Sequence, residues 1–114
     1  MKYDYIVIGG GIIGMTTARE IAIRGARLLR PSGRMVYSTC SIDVAENEVV
    51  VAEILSNCPW LRLAKIDEAR FSDLGLHQGF SNWPILIDYD AEIRDQLVNC
   101  RRLPIGGTNN TGGF

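Results

Sequence analysis

With 114 residues, 46% of them apolar and 22% charged, the chain has the composition of a folded domain and room for one core. That length is small for a complete nucleotide-dependent enzyme with a separate substrate domain and argues against one. A net charge of −1 gives no bulk attraction to nucleic acid or anionic membranes.

The first element is an apolar run from Tyr3 to Ile8, the pattern of a strand buried on both faces of a parallel sheet. Gly9, Gly11 and Gly14 follow with the spacing G-x-G-x-x-G between strand and helix, a seat for a pyrophosphate group. A helix comes next, carrying Met15, Ala18, Ala22, Ala26 and Leu29 at helical spacing and stopped by Pro31-Ser32-Gly33. Five arginines (Arg19, Arg24, Arg27, Arg30, Arg34) fall in this segment against one acid, Glu20. They suit either a solvated face or contact with phosphate oxygens.

Arg34 to Thr39 reads as the second strand. Asp43, with Glu46 three positions on, opens a second helix in the manner of a capping box. On that helix Val44, Val50, Val51, Ile54, Leu55 and Cys58 share one face, and Asn47 falls within it, placed either to hold the preceding loop by hydrogen bonds, the reading put first, or to reach solvent at the first turn. Cys58-Pro59 closes the helix. Leu61 to Ile66 is a candidate third strand, 67–83 a loop, Ile85 to Asp88 a short strand, Ala91 to Asn99 a short helix and Arg101 to Ile105 an extended piece. The stretch GGTNNTGG is turn chemistry.

Cys40, Cys58 and Cys100 make an odd, widely spaced set without metal-ligand spacing, which points to a reducing, intracellular setting; nucleus and cytoplasm are not distinguished. No apolar run approaches the ~20 residues of a membrane span, so no membrane partner is expected.

Two resemblances follow from these residues. The stretch YIVIGGGIIGM resembles the start of FAD-dependent oxidoreductases similar to L-2-hydroxyglutarate oxidase over about the first twenty residues. That resemblance implies that Gly9, Gly11 and Gly14 hold FAD. The acid such a site needs at the end of the second strand is replaced by Ser38 and Thr39, or by Arg30 in another register, a place suited to a 2′-phosphate as in NADP.

From about Ile21, RGARLLRPSGRMVYSTCSIDVAENEVVVAEIL, and later CRRLP and NTGGF, resemble the C-terminal part of the catalytic domain of RNA cytosine-5 methyltransferases, a family that includes tRNA methyltransferases. The resemblance implies S-adenosylmethionine as methyl donor, RNA (tRNA) as partner and Cys40, within Thr39-Cys40-Ser41, as the nucleophile attacking carbon 6 of cytosine. Cys40 falls between a strand and a helix N-terminus, a setting that favours thiolate. The family's donor-binding half and its Pro-Cys motif have no counterpart here; Cys58 precedes its proline.

The expectation is one α/β domain over 1–114: a small three-layer Rossmann-like parallel sheet, incomplete, with an antiparallel edge near the C-terminus. It reads as a composite, with a glycine-loop βα unit over 1–24 and a methyltransferase-like part over 25–114. The whole is a fusion, chimera or remnant that is inactive alone and prone to self-association through an unpaired sheet edge.

Overall fold

The computed structural model describes residues 3–9, 15–40 and 43–103. Strand β1 (Tyr3–Gly9) leads to helix α1 (Met15–Arg27) and back to β2 (Leu29–Ser38), which pairs with β1 in parallel. Parallel neighbours need such a crossover. Helix α2 (Glu48–Asn57) follows. After it come 3₁₀ turns at Glu68–Leu74, Pro84–Leu86 and Leu97–Asn99, helix α3 (Ala91–Gln96), and strands β3 (His77–Gln78) and β4 (Arg101–Arg102), paired antiparallel.

The alternation of side chains across the sheet decides the layering. Ile6, Ile8, Met35 and Tyr37 point to one face and pack with Ala22, Ile23 and Ala26 of α1 and with Val50, Ile54 and Cys58 at α2. Small residues let α1 approach closely: a Cβ added at Gly25 would lie 3.1 Å from the Ile8 Cδ1. Tyr5 and Val7, on the other face, are each 76% exposed. The expectation of a strand buried on both faces is therefore corrected, and the described residues build two layers rather than three. The chain is a mixed α/β fold on a small parallel sheet.

A second cluster lies on the far side of α2, where Val51, Ala52 and Leu55 meet Val44, Leu86, Leu97 and Cys100. The face of α2 read from the sequence is the buried one, with Val44, Val50, Val51, Ile54, Leu55 and Cys58 all buried.

Several element expectations are revised. α1 stops at Arg27, with the Leu28 N–H donating to the Gly25 carbonyl at 3.0 Å, and Pro31-Ser32-Gly33 lies inside β2 as an irregularity of register. Between the pairs Tyr3 with Leu29 and Tyr5 with Arg34, β2 carries extra residues, and Ser32 adopts φ 66° to take up the bend. Leu61–Ile66 forms no strand; Leu61 and Leu63 pack inward while the Leu63 N–H donates to Gln96 Oε1 at 2.9 Å, a side chain rather than a neighbouring strand. Ile85–Asp88 is not a strand either, because Pro84 starts a helical turn. Ala91–Asn99 is helical as expected, passing from α3 into a 3₁₀ turn. The antiparallel pairing near the C-terminus is a separate ladder, His77 with Arg102 and Gln78 with Arg101, rather than an edge of the parallel sheet.

Candidate functional site at the carboxyl end of the sheet

The carboxyl ends of β1 and β2 lie side by side, with Gly9 opposite Ser38. In open α/β sheets ligands bind at these ends. The structure thus brings the first glycine of the G-x-G-x-x-G stretch next to the strand that delivers Thr39 and Cys40. Gly11 and Gly14 lie outside the described residues, as do Ser41 and the NTGGF stretch. Among the described residues, no atom lies within 4 Å of a Cβ added at Gly9.

Cys40 is exposed immediately beyond β2, whereas Cys58 and Cys100 are buried. Burial pushes the Cys58 thiol up against a smaller opposing pull from Arg27. Burial, and secondarily the charge of Glu48, pushes Cys100 up to about 12. Neither is an available thiolate near neutrality, so among the three cysteines only Cys40 is presented to solvent.

The helix expected from Asp43 begins later, at Glu48. Asp43 does accept a hydrogen bond, but from the Ala45 N–H at 2.9 Å, closing an Asx turn ahead of the helix. The Asn47 N–H donates back to the Asp43 and Val44 carbonyls at 3.1 and 3.2 Å, and the first helical turn proper starts from there.

Two side-chain bonds tie the end of β2 to the start of α2. The Tyr37 hydroxyl donates to the Glu46 carbonyl at 2.9 Å, and the Thr39 hydroxyl donates to Asn47 Oδ1. Asn47 is fully buried, and its side chain does not cap its own helix. The loop carrying Cys40 is closed between these two ties, the holding role that Asn47's place on the apolar face suggested.

From the sequence Glu48 is, with Asp43 and Glu46, an acid suited to the positive helix N-terminus, and its burial and partner are not foreseen. It is fully buried and receives Arg102, with Nη2 to Oε1 at 2.5 Å and Nε to Oε2 at 2.9 Å, while the Phe80 N–H donates to Oε2 at 2.7 Å. The Arg102 guanidinium lies 4.7 Å from the Phe80 ring centroid, and Phe80 lies 4.9 Å from Trp83. One sequence signal marks Glu48: four positions after Val44 and three before Val51, it occupies the apolar stripe of the helix.

The arginine-rich segment is divided among several surroundings. Arg30 meets Asp4 at 3.6 Å at the opposite end of the sheet, Arg27 acts on Cys58, and Arg19 acts on Tyr89. No acidic residue closes β1 or β2 at their carboxyl ends. Among the described residues, no group of His, Cys, Asp and Glu is arranged to hold a metal ion, and no helix is long and apolar enough to cross a membrane.

The parallel βαβ unit is compatible with a fragment of a Rossmann-like fold. The family described as 16S rRNA methyltransferase RsmB/F matches residues 15–98, and the chain belongs to that family. It is 41% identical over 121 aligned positions to the multisite-specific tRNA:(cytosine-C(5))-methyltransferase of Saccharomyces cerevisiae, covering 83% of this chain and 17% of that protein. It is 39% identical over 84 residues to ribosomal RNA small subunit methyltransferase F of Escherichia coli O6:H1, covering 74% of this chain and 16% of the relative. To human tRNA (cytosine(72)-C(5))-methyltransferase NSUN6 it is 47% identical over 45 residues, 40% of this chain and 10% of the relative. The chain thus spans about a sixth or less of the length of these relatives. The family match starts at Met15, so α1 is part of it, and the comparisons lend no support to a FAD-dependent oxidoreductase segment or to a chimera.

Proposed function

We propose that this chain is part of the catalytic domain of an RNA cytosine-5 methyltransferase and that Cys40 supplies the thiolate that adds to carbon 6 of the target cytosine. The observation that carries the reading is the placement of Cys40: exposed, directly after β2, at the sheet end where α/β proteins bind their ligands. A target base extruded from its stack needs such an open strand-end loop to reach the sulfur. Tethered as it is by Tyr37 and Thr39, the loop is a fixed platform for that encounter.

The family implies S-adenosylmethionine, but the described residues do not fit it. Neither strand ends in an acid able to bind ribose hydroxyls, and the same gap argues against FAD at the Gly9, Gly11 and Gly14 loop. The chain alone is accordingly proposed to be inactive, its donor site lying in parts of the relatives that it does not span. We also propose self-association through the outer edge of β2, which is unpaired among the described residues; sedimentation as a monomer at every concentration overturns it.

The test of the function is a hybrid in which this chain replaces the matching segment of the yeast relative, assayed on tRNA carrying 5-fluorocytosine with the methyl donor present. A covalent RNA–protein adduct at Cys40, lost in the Cys40→Ala hybrid, is the expected result. An adduct that persists without Cys40 discards the assignment, and methyl transfer by the isolated chain discards its proposed inactivity.

A further inference from the structure

Three consecutive residues at the start of α2 each hold a different part of the chain. The Glu46 carbonyl takes the Tyr37 hydroxyl, the Asn47 side chain takes the Thr39 hydroxyl, and the Glu48 carboxylate takes Arg102 and the Phe80 N–H. The first two bonds reach back to β2 and bracket the Cys40 loop. The third reaches forward, away from it.

Resting on the proposed role of Cys40, we propose that Asn47, acting through Thr39, is a positioning residue for the Cys40 sulfur, a role distinct from that of its neighbour Glu48, which anchors the 77–102 segment. Thr39 is covalently next to Cys40, so fixing its side chain fixes the backbone from which the sulfur projects. Asn47 suits the task because it is itself immobile: fully buried, with its N–H bonded to the Asp43 and Val44 carbonyls and its carbonyl accepting from the Val51 N–H at 3.1 Å. An ordinary buried asparagine at this place would cap α2, and this one turns its Oδ1 to the loop instead. The Tyr37 bond at 2.9 Å holds the same loop two residues earlier, and of these two ties Thr39 is the one nearer the sulfur.

The experiment uses the whole 114-residue chain, with alkylation of each cysteine by iodoacetamide followed by peptide mapping from neutral to mildly alkaline pH. Thr39→Val removes the hydroxyl and keeps the shape, Asn47→Ala removes the acceptor, Thr39→Ser restores the hydroxyl, and Glu48→Gln tests the other arm. Cys58 and Cys100, both buried, report in the same digest whether a variant is folded. Thr39→Val and Asn47→Ala are expected to lower the Cys40 rate about fivefold, the population one hydrogen bond governs. Thr39→Ser is expected to return the rate to the parent's, and Glu48→Gln to leave the Cys40 rate in place while Cys58 and Cys100 become easier to reach.

An unchanged or faster Cys40 in Thr39→Val overturns the proposal. So does a set in which every variant that slows Cys40 also exposes Cys58 and Cys100, since the bond is then one of general stability. Alkylation reads the loop whether or not RNA is attacked. A hybrid that fails to trap 5-fluorocytosine while Thr39→Val still slows Cys40 therefore discards the function and leaves the positioning intact.

Discussion

Glu48 and Arg102 meet across 54 positions of chain as a fully buried, two-pronged ion pair. Both carboxylate oxygens are engaged, and the Phe80 N–H adds a third bond. Such a pair returns little net stability for its desolvation, but breaking it leaves an uncompensated charge inside the protein. Arg102→Met is therefore expected to destabilise the chain by about 3–5 kcal/mol. The double variant Glu48→Leu/Arg102→Met should recover most of that loss. Urea unfolding of the parent, the single and the double variants measures both; a double variant as weak as the single one contradicts this account.

The cysteines should label in a fixed order. Cys40 is expected to alkylate in the folded chain, while Cys58 and Cys100 wait for unfolding, since burial raises both thiols and takes Cys100 to about 12. Peptide mapping with and without denaturant distinguishes them. Equal rates at all three in the absence of denaturant would remove the structural reason for singling out Cys40.

Alkali should unfold the chain through two tyrosines. Tyr37 is pushed up to about 12 by desolvation, with Glu46 adding to it, and Tyr89 to about 12 by desolvation and then by its hydrogen bond to Glu53. Each phenol holds its proton more tightly folded than unfolded, where the ordinary value is 10.0. Their contribution is thus complete below pH 10 and is lost as pH climbs toward about 12. Melting curves over that range should fall steeply for the parent and less steeply for Tyr37→Phe/Tyr89→Phe; identical slopes exclude these two groups.

Ser32 holds φ 66° inside β2, a left-handed conformation that suits glycine better than serine. Ser32→Gly is expected to stabilise by about 0.5–1 kcal/mol after the greater freedom of glycine in the unfolded chain is set against the relieved strain. Ser32→Val should destabilise. Thermal unfolding of the pair tests the sign.

Where the sequence carried a repeating signal it was readable. The buried face of α2 follows from the 3.6-residue spacing of Val44 to Cys58, and the small-residue stripe of α1 from Ala18, Ala22 and Ala26. Signals that depend on a partner elsewhere were not. Tyr5 and Val7 look like strand residues covered on both sides, yet whether a second layer covers them depends on other chain segments. Leu61 and Leu63 are inward-facing in extended chain, and only the identity of the hydrogen-bond partner, Gln96 rather than a strand, distinguishes that from a ladder. Pro31-Ser32-Gly33 ends helices and also bends strands, and local chemistry is the same in both. At the site, the loop between β2 and α2 and the inward asparagine were legible; the Glu48–Arg102 pair was hidden by distance in sequence.

Helix α2 gives Val50 and Ile54 to one cluster and Val51, Ala52 and Leu55 to the other. It is a wall common to two rooms. The loss of either cluster strips water-excluding contacts from the same ten residues. Among the described residues, the two clusters are therefore coupled through this one helix.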